Sequence, residues 1–469
     1  MSVTPPRRVV VIGGGVTGLT VAYRLSMAGA AIEVMVLEAG SAAGGKLRSV
    51  AVGDLVLPAA ADSFLARKPW AVDLCKELGI ELETPGATGA HLWTDAGLVP
   101  LIKDAPFGIP GDIGDLFRWP GLSAAGKRRA AQDLLRRARK SDDDESLGSL
   151  LRRRFGDEAT DLAVGPLLAG LYAGDVDRLS VRATFPDLAV WERWQGSLFR
   201  GSQATSKVAH RAKLGPMFVR PRGGVERLTD TLLERLGDRV RTGAAVTAVE
   251  PGHITLDDGG RIEADAIVIT TPAHEASRLL TAASPDVGAN LAGIGYASTG
   301  VVLMVYERDT QAGLPDGTGF VVPRGKAPMT AATWLSSKWP ADAFDTRAVV
   351  RCYVGAVGEE DILDADDADL IEACSRHLAA VVRLPDMPEQ AAVVRWPASM
   401  PQYEVGHLDR VSSTRAGLPP GIVVAGQAYD GVGVPDCVRA ANETAEQVIA
   451  DLSRQHSGNE PTDHEETVP

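Results

Sequence analysis

RVVVIGGGVTGLTVAYRLSMAGAAIEVMVLE, from Arg8 to Glu38, decides how the rest of this 469-residue chain is read. The β-branched run Val9 to Ile12 suits a strand buried on both faces. Gly13, Gly15 and Gly18 then give G-x-G-x-x-G, followed by a helix-compatible run to Gly29 and a second apolar strand, Val34 to Leu37. Glycines at these positions permit a tight turn and a close backbone approach to a pyrophosphate, and the N–H groups of the helix start point at the anion. Glu38 follows Gly18 by twenty positions at a strand end, where a carboxylate reaches ribose hydroxyls. Strand, turn, helix, strand and acid in this order point to an adenine dinucleotide.

The bulk numbers narrow the class. A chain of this length holds two or three domains and a large core. A net charge of −13 argues against nucleic acid as a partner, because phosphate backbones call for a basic surface. Cys75, Cys352, Cys374 and Cys437 are scattered without C-x-x-C, so neither a disulfide frame nor a metal site is expected. The first strand begins too early to follow a signal peptide, and no apolar run nears the ~20 residues a bilayer span needs. The chain reads as cytoplasmic.

Further along, Gly44-Gly45-Lys46 forms a second glycine turn, and a helix is predicted from Pro69 to Leu78. Leu116 to about Lys213 reads as mainly helical. Within it, Lys127 to Lys140 carries seven basic residues in fourteen, and Arg152 to Arg154 adds three more. Such charge suits either a solvated face or a peripheral contact with an anionic membrane; the thin apolar stripe of Leu134 and Leu135 favours the solvated face. Alternating strands from Thr299 to Arg395 suggest a mixed sheet. The pattern of the opening then returns: an apolar strand at Ile422 to Ala425, a glycine turn from Gly426 to Gly433, and a helix from Pro435 to about Leu452. The polar residues after it read as a disordered tail.

Two strand–turn–helix units at opposite ends suit FAD better than NAD, since the N-terminal end of the second helix can stabilise negative charge on a reduced flavin. Five segments carry a resemblance: EAGSAAGGK from Glu38, ADSFLARKP from Ala61, GLYAGDVDRLSVRATFP from Gly170, RWPASMPQYEVGH from Arg395 and VVAGQAYDGVGVPDCV from Val423. Together they resemble the FAD-dependent protoporphyrinogen and coproporphyrinogen III oxidases, relatives of the monoamine oxidases. The implied fold is α/β. A Rossmann-like FAD-binding domain would be built from residues 1–85, 221–272 and 395–452, a mixed-sheet substrate domain from 86–115 and 273–394, and a mainly helical domain from 116–220, with 453–469 as the tail.

The resemblance implies positions as well. Gly13, Gly14, Gly15, Val16, Thr17, Gly18, Glu38 and Ala39 would hold the ADP half of FAD, and Val246 its adenine end. Gly45, Lys46 and the Ala60–Ala61 backbone would line the flavin and its linker, with Trp396, Gly426, Gly433 and Val434 beside the ring. The flavin would be held without a covalent bond. One departure stands out: where the family tends to have an acid and a glycine before D-S-F, this chain has Pro58 and Ala60, and a methyl group there would narrow the approach to the flavin.

The implied reaction is a six-electron aromatisation of a porphyrinogen in three flavin cycles, with O2 as acceptor giving H2O2. It demands positioning more than a strong base, so no catalytic side chain is nominated and no metal is expected. The substrate's propionates call for cations, for which Lys68 is the first choice, Arg67 the second and Arg48 a distant third. An acidic chain without a membrane span suits the tetra-propionate coproporphyrinogen III, with protoporphyrinogen IX or an amine as alternative substrates. A ferrochelatase would be a transient partner.

Overall fold

The computed structural model describes residues 5–141, 143–211 and 215–457. The opening strand, Arg7–Ile12, forms the middle of a five-stranded parallel sheet. Ile32–Leu37 and then Val240–Arg241 lie on one side of it, and Ala266–Ile269 and then Ile422–Val424 on the other. Alternation along the strand explains why its run is uninterruptedly apolar. Val9 and Val11 face one core, Val10 and Ile12 another, and none is more than 4% exposed. The first core is closed by the opening helix Val16–Met27, the helix Glu226–Leu236 and the C-terminal helix Val434–Ser457. The second is closed by a three-stranded antiparallel sheet, Val246–Glu250, His253–Leu256 and Arg261–Glu263, and by the helices Ala273–Leu280 and Pro285–Ala292.

A seven-stranded mixed sheet stands beside this unit. Its order is Gln390–Pro401, Tyr296–Val305, Val349–Val354, Ala331–Trp334, Gly319–Val321, His91–Thr94 and Gly97–Pro100, antiparallel except where Gly319–Val321 runs parallel with His91–Thr94. The edge strand Gln390–Pro401 spans the expected domain boundary at residue 395 and pairs with Tyr296–Val305 over most of its length. Helices between Ile113 and Arg211 pack around their own apolar core of Leu150, Leu151, Phe155, Leu188, Trp191 and Phe199. The fold is therefore α/β, with parallel, mixed and helical parts.

The basic segment turns out differently from a single surface helix. The helix there covers only Ala124–Ala131 and gives way to a short 3-10 turn, Gln132–Leu134. Arg129 donates to the carbonyls of Arg152, Arg153 and Arg154, satisfying the open end of the helix Leu147–Phe155. Arg152 pairs with Asp161 at 2.6 Å and Asp177 at 3.0 Å. Arg154 is fully buried, with Nε 2.7 Å from the equally buried Asp133, an ion pair whose angle falls short of a hydrogen bond. At the other end of the chain the last helix continues past its expected end at Leu452 to Ser457. The rest of the expected tail, 458–469, and the expected helical limit at Lys213 lie outside the described residues. Among the described residues no helix is long and apolar enough to cross a membrane.

Candidate functional site

The opening turn has the geometry its glycines promise. Gly13 takes a φ of +106°, and a Cβ on Gly18 would sit 2.0 Å from the Gly13 carbonyl oxygen, so a side chain there would force the helix away from the strand. Gly15 stands before the helix in extended backbone without a side-chain cap, which leaves the first-turn N–H groups of Val16, Thr17 and Gly18 available to an anion. Thr270, at the end of the Ala266–Ile269 strand, donates from Oγ1 to the carbonyls of Ile12 at 2.9 Å and Gly13 at 3.0 Å, bracing the turn from beneath. Glu38 accepts from the N–H groups of Gly14 at 2.8 Å and Gly40 at 2.7 Å. Its carboxylate thus shapes the turn as well as standing at the strand end, with Ala39 exposed beside it. Ala244 N–H donates to the Glu38 carbonyl at 2.9 Å, which brings the buried Val246 close to the same corner.

Distant segments converge on this turn through a continuous set of contacts. Gly44 N–H donates to the Gly14 carbonyl at 2.8 Å, and a Cβ on Gly45 would lie 3.1 Å from Gly15 Cα. A Cβ on Gly426 would lie 3.5 Å from Thr17 Oγ1. Lys46 reaches across to Ser399, donating to its carbonyl, and to Gln427 Oε1 at 2.6 Å. A bulge makes this possible: Ala297 pairs with Met400 but Thr299 with Trp396, so residues 397–399 are looped out of the edge strand, with Ala398 at a φ of +42°. Burial pushes the Lys46 ammonium down to about 8.

Two rings fix the remaining walls. Trp396 Nε1 donates to the Ala59 carbonyl at 2.9 Å, and the Arg48 guanidinium lies 4.6 Å from the Trp396 ring centre. Buried Tyr403 donates to the Gln427 carbonyl at 2.6 Å and accepts from Gly431 N–H at 2.8 Å, strapping the second glycine turn at both ends. Behind it His407 stacks on the Tyr403 ring at 3.9 Å, and burial, aided by Arg410, pushes its imidazole down to about 4. Ala60 is not among the residues with positive φ, so the alanine that replaces the family's usual glycine sits there without backbone strain.

The expected substrate cations diverge. Lys68 places Nζ 2.7 Å from both carboxylate oxygens of Asp436, in the first turn of the C-terminal helix beside Gly433 and Val434. Arg67 is exposed next to it, and Arg48 is taken up by Trp396. Thr270, Tyr403, Gln427 and Asp436 were not singled out from the sequence. Tyr403, Gln427 and Asp436 do lie inside the quoted motifs, so only their partners were hidden.

The glycine turns meet at a capless helix start whose backbone donors are open, an arrangement that suits a flavin dinucleotide. Comparison with known proteins agrees. Residues 16–449 match the family of flavin-containing amine oxidoreductases. The coproporphyrinogen III oxidase of Bacillus subtilis (strain 168) is 35% identical over 92% of this chain and 96% of its own length, and further bacterial relatives carry the same name. The chloroplastic protoporphyrinogen oxidase of Nicotiana tabacum is 28% identical over 95% of this chain and 86% of its own. A protoporphyrinogen oxidase-like crystal structure from Exiguobacterium sp. 255-15 superposes with a TM-score of 0.83 at 32% identity, covering 95% of this chain and 99% of that one. This chain belongs to the flavin-containing amine oxidoreductase family, alongside the coproporphyrinogen III oxidases, and its cofactor is a flavin.

Proposed function

We propose that this protein oxidises coproporphyrinogen III to coproporphyrin III in haem biosynthesis, consuming three O2 and releasing three H2O2 per porphyrin. The near full-length likeness to coproporphyrinogen III oxidases carries the reading, and the contacts of Lys46 and Trp396 support it. FAD, when bound, supplies the hydride acceptor and passes the electrons to O2. The chain's own work is placement. The helix start after Gly15 and the residues Gly13 to Gly18 hold the pyrophosphate, Glu38 and Ala39 the ribose, and Val246 the adenine end. Gly45, Lys46, the Ala60–Ala61 backbone, Trp396, Gly426, Gly433 and Val434 line the ring. Burial pushes the Cys437 thiol up to about 11, so the thiolate that a thioether link would need is scarce, which supports non-covalent binding.

Lys68, with Arg67 behind it, is the cation for a substrate propionate. The three-part domain division at 1–85/221–272/395–452, 86–115/273–394 and 116–220 belongs to the same reading. The pairing of Arg129 and Arg152–Arg154 within the fold supports action in the cytoplasm, away from a membrane surface, with a ferrochelatase as the transient partner downstream. Side-by-side turnover of both porphyrinogens tests the substrate. We expect kcat/KM at least about tenfold higher for coproporphyrinogen III, since two extra carboxylates offer further charge-assisted contacts. A preference for protoporphyrinogen IX overturns the choice, and turnover of amines alone overturns the reaction.

A further inference from the structure

Behind the 59–61 wall lies a buried group of charges that the reaction as described does not use. Asp62 is 6% exposed. Lys338 Nζ lies 3.0 and 3.1 Å from its two carboxylate oxygens, Trp339 Nε1 donates to one of them at 3.2 Å, and Arg351 Nη2 stands 3.4 Å away. Burial pushes the Asp62 carboxyl up, but the Arg351 and Lys338 charges outweigh it and hold the group well below the usual carboxylate range. The Arg351 side chain is 1% exposed and works on both sides: Nη1 donates to the Ala60 carbonyl, Nη2 to the Tyr353 hydroxyl. With Trp396 holding Ala59, two successive carbonyls of the wall are turned into the protein. The N–H groups of Ala60 and Ala61 donate to nothing among the described residues.

The geometry points to Arg351 as a positioning residue for the flavin. Its fork fixes the Ala60 carbonyl inward, so that the Ala61 N–H of the same peptide faces the ring, as Trp396 does for the Ala60 N–H through the Ala59 carbonyl, and with Lys338 it outweighs the single charge of Asp62. The net positive charge behind the wall favours the electron-rich, reduced flavin. A lysine at 351 would keep the charge but could not span Ala60 and Tyr353 together, because an ammonium lacks the planar fork. This inference rests on the proposed reading of residues 59–61 as a flavin wall.

The test uses purified holoenzyme and two variants, Arg351→Lys and Lys338→Met. FAD affinity after deflavination, flavin midpoint potential and steady-state kinetics are measured for each. Arg351→Lys should bind FAD about tenfold more weakly and lose kcat with KM unchanged. Lys338→Met should shift the potential to a more negative value. If both keep native FAD affinity, potential and kcat and lose only thermal stability, the cluster is merely structural and the assignment is overturned. Should Arg351→Lys not fold, Tyr353→Phe, which frees one edge of the guanidinium, takes its place, and unchanged affinity and kcat in that variant overturn the assignment equally. FAD titration is independent of porphyrinogen turnover, so a wrong substrate and a wrong wall fail separately.

Discussion

Lys68 stands in the fold with a partner already in place. As a cation in the LARKP segment it suits a propionate, yet both carboxylate oxygens of Asp436 already hold its ammonium. A substrate carboxylate must therefore share Lys68 with Asp436 or displace it. The side chain is 43% exposed, so the pair is partly screened and the exchange is accessible. Two opposite outcomes follow from this competition. Lys68→Ala should raise KM by about tenfold with little change in kcat, whereas Asp436→Asn, by releasing the ammonium, should lower KM. Equal increases in KM from both changes would mean that Lys68 binds substrate only as half of an intact pair. Unchanged kinetics for Lys68→Ala would remove it from the site.

At the scale of elements, the strap over the second glycine turn makes a pH-dependent claim. Tyr403 closes the turn, and His407 stacked on it is neutral in the fold, its imidazole pushed from 6.5 down to about 4. A depressed imidazole contributes stability fully above its unfolded value and loses it as pH falls from about 6.5 to about 4, because the unfolded chain binds the proton first. Stability against thermal unfolding should therefore fall across that window, by about 3 kcal/mol from this residue. His407→Phe keeps the stack and cannot titrate, so it should flatten the slope; an unaltered slope would put the acid sensitivity elsewhere. The elements also show what a sequence can disclose. The opening turn was readable because Gly13 and Gly18 satisfy a local demand, as the Gly18 approach to the Gly13 carbonyl confirms. Arg351 and Lys338 were not readable, since each acquires its meaning only by meeting Asp62 and Ala60 across most of the chain. Trp396 lies between these cases: its motif marked it, and only the fold revealed Ala59 as its partner.

For the whole molecule, charge counting along the sequence misleads where the fold supplies partners. The ten basic residues of Lys127–Lys140 and Arg152–Arg154 look like an available surface, but several are structural: Arg129 caps a helix, Arg152 bridges acids, and Arg154 is sealed against Asp133. Neutralising Arg154 should thus act on stability and not on surface attachment. Arg154→Met leaves Asp133 buried without its cation and should cost about 3–5 kcal/mol in a denaturant unfolding measurement. A variant of native stability that has lost affinity for anionic vesicles would reverse this view.

The packing of the first helix against the last also orders events in time. Leu19, Val21 and Leu25 share a core with Val438, Ala441 and Val448, and Arg24 bonds Asn442 at 2.8 Å. In the proposed reading, the turn that holds the pyrophosphate leaves the ribosome well before the strap and helix that complete the ring site, because they lie far apart in the chain. Cofactor capture would therefore wait until the helix Val434–Ser457 has been made. Until then Gly13 to Gly18 is half a binding site, and the nascent chain gains none of the stability that a tightly held ligand gives the finished one.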